Sequence, residues 1–187
     1  MPMPVSPSDL SGLSLAEIAQ AVADHKLPPV ATWNPARCGD SAMRIARDGT
    51  WYHEGAPIRR PAMVRLFSTI LRREADGGYV LVTPAEKLGI AVEDAPFVAV
   101  ELKVEGAGAA ATLAFRLNTG DMVIADAAHP LRFVDTADGP HPYLRVRDGL
   151  DALIARPVYY ELAEIALAAT PPGLWSAGAF FPLPPIA

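Results

Sequence analysis

The stretch from Arg47 to Arg73, RDGTWYHEGAPIRRPAMVRLFSTILRR, leaves this chain little conformational freedom. Asp48-Gly49 reads as a hairpin-type turn, because glycine supplies the positive φ that a tight reversal needs. Ahead of it Met43, Ile45 and Arg47 alternate against Arg44, Ala46 and Asp48, and behind it Thr50 to His53 returns as a second short strand. Gly55-Ala56-Pro57 breaks that strand. Pro61 suits the first turn of a helix, where a missing N–H leaves no intrahelical bond unmade. Met63, Phe67, Ile70 and Leu71 then share a helical face, with Arg60, Arg65, Arg72 and Arg73 largely elsewhere. Arg72 and Arg73 suit the negative end of such a helix. Strands running into a helix without spacer, followed by more strand pattern, imply an α+β chain.

Upstream, Ser14 and Glu17 stand at capping-box spacing, and Leu15, Ile18, Ala19 and Val22 recur at helical intervals until Pro28-Pro29. Such a short apolar stripe predicts a lid docked on the main body. Trp33 to Gly39 reads as an irregular connector. Downstream, Gly77-Gly78 ends the central helix, Tyr79 to Val82 is a strand, and Thr83 to Lys87 a turn before Ile90 to Val92. Phe97, Ala99, Glu101 and Lys103 alternate with Val98, Val100, Leu102 and Val104, giving one buried and one more polar face. Thr112 to Leu117, Met122 to Ala125, Leu131 to Val134 and Tyr143 to Val146 continue a meander. Helical spacing returns at Leu150, Leu153 and Ile154, and again at Val158, Leu162 and Ile165, with Pro157 either kinking that helix or starting a second one. The tail, with Trp175, Phe180 and Phe181, is apolar enough to pack back on the body. These changes divide the chain into an N-terminal helix and connector (1–40), a stretch of strands and helix (41–95), and a meander with C-terminal helix and tail (96–187). Arg47-Asp48-Gly49 and Arg147-Asp148-Gly149, each amid strands and near a helix, suggest a coarse internal repeat.

Composition excludes several classes. The chain has 187 residues, 51% of them hydrophobic and 20% charged, which suits a packed core rather than disorder. A net charge of −5 argues against a nucleic-acid polymer as partner. The single cysteine, Cys38, rules out an internal disulfide framework, and its neighbour Arg37 would favour thiolate only in a suitable geometry. The amino-terminal MPMPVSPSDLSG lacks the charge and apolar run of a signal peptide, and no apolar run reaches membrane-spanning length. A soluble protein in the reducing cytoplasm is expected.

No motif announces catalysis. Gly106-Ala107-Gly108 imitates a dinucleotide fingerprint, but Thr112 to Leu117 after it alternates like a strand where a helix would be required. His25, His53, His129 and His141 have no metal-ligand spacing, so neither metal nor cofactor is expected. Ser68 lies mid-helix, without a nucleophile elbow. The arginines carry the better signal. Arg44, Arg47, Arg59, Arg60, Arg65, Arg72 and Arg73 crowd one acidic-protein segment, and Arg145, Arg147 and Arg156 a second. Their planar forks suit phosphate or carboxylate, and Trp51, Tyr52, Tyr159 and Tyr160 offer rings that stack on a base. Ordinary surface and internal ion pairs with Asp48, Glu74, Glu86 and Asp148 account for part of this clustering.

The combination Arg47-Asp48-Gly49-x-Trp51, Gly55-x-Pro57-Ile58-x-Arg60, Val64-Arg65-Leu66-Phe67-Ser68, Leu81-Val82-Thr83-Pro84-x-Glu86-Lys87, Asp94-Ala95-Pro96-Phe97 and Arg147-x-Gly149-Leu150-x-Ala152-Leu153, together with Cys38-Gly39, resembles the bacterial domain-of-unknown-function family DUF1285. The resemblance spans roughly residues 30–165. It implies two small α+β lobes with internal duplication, antiparallel sheets with packed helices, and a second lobe superficially like a pleckstrin-homology domain. It further implies a cavity between the lobes suited to a nucleotide-type molecule in signalling.

The expected function is therefore a non-catalytic sensor module binding a small anionic, nucleotide-like ligand between its lobes. Arg47, Arg60, Arg65 and Arg147 would contact phosphates, Trp51 or Tyr159 would stack, Thr83 and Lys87 would complete the rim, and Asp48 lies within the same site. The alternative is a protein-interaction adaptor or homo-oligomer using a sheet edge or the Trp175/Phe180/Phe181 tail. An enzyme using Asp48 or Glu86 ranks last, since neither has an identifiable partner group.

Overall fold

The same strand order occurs twice. In the computed structural model, which describes residues 12–184, the first sheet contains β1 (Arg37–Ile45), β2 (Trp51–His53), β3 (Ala56–Pro57), β4 (Leu71–Arg73), β5 (Tyr79–Val82) and β6 (Glu86–Val92), ordered β3-β2-β1-β6-β5-β4. The second contains β7 (Phe97–Glu105), β8 (Thr112–Leu117), β9 (Met122–Ile124), β10 (Leu131–Thr136), β11 (Gly139–Arg147) and β12 (Leu150–Ile154), ordered β10-β11-β12-β7-β8-β9. Taken from its opposite edge, the second order is the first: third, second, first, sixth, fifth, fourth. In both sheets the first and sixth strands are central neighbours and run parallel, whereas the other pairings are antiparallel. The fold is thus α+β, two-domain and internally duplicated, with curled half-barrel sheet and, among the described residues, three α-helices. The departure from wholly antiparallel sheets lies in those two central pairs.

The Arg-Asp-Gly triplets do not mark the duplication. Arg47–Gly49 turns the first strand of its sheet into the second, while Arg147–Gly149 turns the fifth into the sixth. Equivalence resides in topology instead.

Several local expectations need correction. The connector reading fails at Arg37–Gly39, which pair with Glu86–Leu88 of β6. The expected turn from Thr83 shrinks accordingly, with Glu86 and Lys87 inside that strand and the Thr83 hydroxyl accepting from the Ala85 and Glu86 amides. Helix α2 (Pro61–Thr69) stops before Arg72 and Arg73. Ile70 donates back to Phe67, then its carbonyl accepts from Val82, so strand pairing captures Leu71–Arg73 and Gly77-Gly78 becomes part of a hairpin turn. Leu150–Ile154 is a strand, not a helix, because it lies between β7 and β11 with both faces largely covered. A five-residue apolar run does not distinguish these states by periodicity. Pro157 falls in the first turn of α3 (Arg156–Ala168). Within β7 a register shift after Ala99 exchanges the two faces: Phe97 and Ala99 point to the core, but beyond Val100 it is Leu102 that packs there, and Glu101 pairs with Arg116 at 2.7 Å.

One apolar core runs through both domains, from Ile45, Trp51 and Leu71 to Phe97, Phe115, Leu144 and Leu162. Helix α1 (Leu15–Asp24) docks on the other face of the second sheet, where fully buried Ile18 meets Ala114, Met122 and Ile124. Its capping box is formed, with the Glu17 amide donating to Ser14 Oγ at 3.2 Å and the Ser14 amide donating to Glu17 Oε2 at 2.8 Å. The tail folds back as the hairpin β13 (Gly173–Ser176) and β14 (Ala179–Pro182), burying Leu174 and Phe181. The Ser176 hydroxyl ties it down by donating to Ala125 O and accepting from Leu113 N. The Pro/Ser-rich lead before Gly12 and the final Pro185 lie outside the described residues. Among the described residues no helix is long and apolar enough to cross a membrane.

Candidate functional site

Helix α1 covers more than the apolar cluster around Ile18. Between its C-terminal half, β9 and the middle of α2 it roofs a cavity of about 630 Å³. Val22, Leu27, Val123, Ile124 and Val146 supply apolar wall, and two arginines enter from different domains: Arg65 on α2 and Arg147 at the end of β11.

Arg147 owes its position to a register shift after Arg145, which sets it opposite Leu150. It is half-buried, its guanidinium lies 5.3 Å from the Phe97 ring centroid, and Nη2 donates to the Ser68 carbonyl at 2.5 Å. Burial lowers its pKa, and the charges of Asp121 and Asp148 oppose that shift. Arg65 donates from Nε to the Thr119 carbonyl at 3.1 Å. It crosses Gly120 so closely that a Cβ there would approach Arg65 Nη2 to 2.6 Å, and the φ of +91° independently favours glycine.

Two histidine–carboxylate pairs complete the polar wall. His25 Nδ1, just past the end of α1, is 3.5 Å from Asp121 Oδ1. The other Asp121 oxygen accepts from the Thr119 hydroxyl at 2.9 Å. His129 Nδ1 is 3.0 Å from Asp126 Oδ1, which also accepts from the amides of Ala128 and His129. Burial pushes the Asp126 carboxyl up, but the backbone and ring donors of His129 and the Ala128 amide outweigh it and hold the group below its ordinary value. With Nδ1 engaged by Asp126, Nε2 is the ring nitrogen of His129 left for another partner. The cavity thus offers guanidinium donors for an anion and imidazole rings for polar groups of a ligand. Among the described residues no group of three or more His, Cys, Asp or Glu side chains is placed to hold a metal ion.

Of the residues singled out in the sequence, only Arg65 and Arg147 meet here. Arg47 is exposed, with its amide donating to Glu93, and exposed Arg60 sits at the N-cap of α2. Asp48 and Trp51 line a separate cleft of about 330 Å³ with Arg59 and Asn118. Trp51 is only 1% exposed and stacks on Phe67 at 6.4 Å, so it is a core ring and not a platform for a ligand. Lys87 pairs with Glu74 on the first sheet, beside the local turn of Thr83, away from the cavity. Tyr159 is half-buried against the core on α3. The single rim expected from these residues is therefore dispersed, since strand order carries their segments to different sides of the sheets. His25, Asp121, Asp126 and His129 were not foreseen. Their sole sequence signal is the three-residue spacing of Asp126 and His129, which is common in turns.

The DUF1285 N-terminal domain matches residues 28–95, and the DUF1285 C-terminal domain residues 96–183. A crystal structure of a DUF1285 family protein from Silicibacter pomeroyi DSS-3 is similar with 47% identity and a TM-score of 0.78, covering 91% of this chain and 94% of that one. Another, from Shewanella baltica OS155, has 28% identity and a TM-score of 0.53, covering 66% and 91%. No curated protein matches the chain.

Proposed function

The chain belongs to the DUF1285 family, and we propose that it is a cytoplasmic signalling sensor that binds a small anionic, nucleotide-like ligand in the cavity beneath α1. The observation that supports this reading is the entry of Arg65 and Arg147, one from each domain, into one space of about 630 Å³. That volume falls within the range of roughly 300–1,000 Å³ usual for small-molecule sites. Guanidinium forks recognise phosphate oxygens, while His129 Nε2 and the apolar wall suit the rest of a nucleotide. A ligand held by both domains stabilises one relative arrangement of them, which is what a sensor requires.

Thermal-shift measurements with mononucleotides and dinucleotides at millimolar concentration test this. Ligand at 100 times its Kd stabilises the fold by about 2.7 kcal/mol. Arg65→Ala should abolish the shift, and an absence of stabilisation by every nucleotide would remove the reading.

A second reading, self-association or an adaptor role, draws on α3. Tyr160 and Leu167 are 59% and 58% exposed and lie seven residues apart, on one side of the helix. The tail is a poorer candidate for that surface because Leu174 and Phe181 are core residues. The test is mass in solution: a dimer that Leu167→Glu converts to monomer favours association through α3, and a monomeric parent protein counts against it.

A further inference from the structure

A smaller cavity of about 310 Å³ adjoins the first. Leu27 and Arg147 line both. The roof is also shared: α1 rests on the second sheet, after which the chain crosses to the first, where Arg72 Nη1 donates to the carbonyls of Val30 at 2.8 Å and Trp33 at 2.7 Å. One N-terminal strap therefore covers two spaces, with one half-buried guanidinium, that of Arg147, at their junction.

The two spaces differ in chemistry. The larger carries Arg65, the two histidines and their carboxylates. The smaller is walled mainly by Leu27, Pro28, Leu71 and Leu150, and the two arginines it does not share with the larger, Arg72 and Arg73, are committed elsewhere. Arg72 is held by Glu74 and the strap, and Arg73 donates to the Gly149 carbonyl and lies over Tyr79. A guanidinium has five N–H donors, and the bond from Arg147 to Ser68 uses one. The rest suit an anion at the junction, with an arm passing to either side.

From this the geometry points to a two-armed ligand: a phosphodiester whose phosphate meets Arg147, with a nucleoside-sized arm in the larger cavity and a smaller, largely apolar arm in the other. This rests on the ligand-binding reading above and narrows its chemical class. A nucleoside monophosphate would fill one half of the site only, leaving apolar wall beneath the strap uncovered.

The test compares adenosine and guanosine 5′-monophosphates with their 5′-phenyl phosphodiesters, by calorimetric titration of the parent protein and Ala31→Trp. Ala31 is exposed and lines only the smaller space among these cavities, so an indole there blocks that space without entering the core. The inference expects the diester to bind at least tenfold tighter than the monophosphate, Ala31→Trp to erase that advantage, and monophosphate affinity to stay within twofold. Amide hydrogen exchange over residues 28–33 provides a readout independent of the variant: the diester should protect the strap, and the monophosphate should not. Equal affinities in the parent protein, or equal weakening of both compounds by Ala31→Trp, overturns the two-armed ligand while leaving a one-cavity site standing. Absence of binding by all four compounds defeats both readings.

Discussion

Asn118, in the turn between β8 and β9, donates from Nδ2 to the carbonyl of Gly49 at 3.2 Å, joining a side chain of the second domain to a turn of the first. Its Oδ1 is fixed in turn by the Val98 amide at 3.0 Å. A Cβ on Gly49 would fall 2.5 Å from Asn118 Nδ2 and 3.0 Å from Val98 Cγ2, at a φ of +88°. Gly55 has a similar φ of +81° but nothing within 4 Å of its would-be Cβ. Gly55→Ala should thus cost only the left-handed backbone strain, about 1–2 kcal/mol. Gly49→Ala adds overpacking of about 1–3 kcal/mol and loss of the Asn118 bond. Urea midpoints of the two variants check this, and equal losses would show that the seam yields freely.

Arg72 ties the strap to β4 through two carbonyls and to Glu74 at 2.7 Å. A hydrogen bond from a charged group contributes about 1.5–3 kcal/mol. Arg72→Met should lower Tm by roughly 3–12 °C, given about 2–4 °C per kcal/mol at this chain length. Limited proteolysis should then cut between residues 25 and 33 first. Cleavage beginning elsewhere contradicts the anchoring role.

Ser14→Ala removes the side-chain half of the capping box, which costs about 1 kcal/mol. Because α1 meets the body through a small cluster around Ile18, the loss should appear as faster amide exchange in residues 15–24, with β8 unchanged. Uniformly faster exchange would mean that the helix opens only with the whole protein.

Tyr143 donates to Asp94 Oδ1 at 2.7 Å. Burial pushes the phenol pKa up, and the hydrogen bond to Asp94 and its charge take it to about 12, against about 10 when unfolded. The folded state therefore retains a proton that the unfolded state releases, so this stabilisation is intact below about pH 10 and disappears as pH rises towards 12. Tyr143→Phe should be less stable than the parent protein at neutral pH, and the gap should narrow between those values. A constant gap in Tm from pH 9 to 12 would contradict the shifted phenol.

Much of the architecture was legible in residues. Ser14 and Glu17 announced α1, the apolar tail announced its own burial, and Phe97 to Leu117 announced strands. The errors share a cause: Leu71–Arg73 and Leu150–Ile154 take their conformation from neighbours distant in sequence, which outweigh the local period. The cavity was less legible. Arg65 and Arg147 stood out through clustering and the resemblance to DUF1285, but His25 reaches Asp121 only because α1 folds across the second sheet. Trp51 looked like a ligand platform for the same reason that it is buried: it is a large ring on a strand facing Phe67.

The parallel central pair in each sheet bears on how the protein is made. Each domain enters and leaves at the middle of its sheet, with β1 beside β6 and β7 beside β12. During synthesis neither sheet has its centre until its final strand has emerged, so a chain made only as far as Gly149 has a two-stranded ribbon, β10-β11, and a three-stranded one, β7-β8-β9, with nothing to join them. The same adjacency of entry and exit lets one such unit follow another in tandem with only Glu93–Pro96 between them, a simple route by which a single ancestral unit could become two.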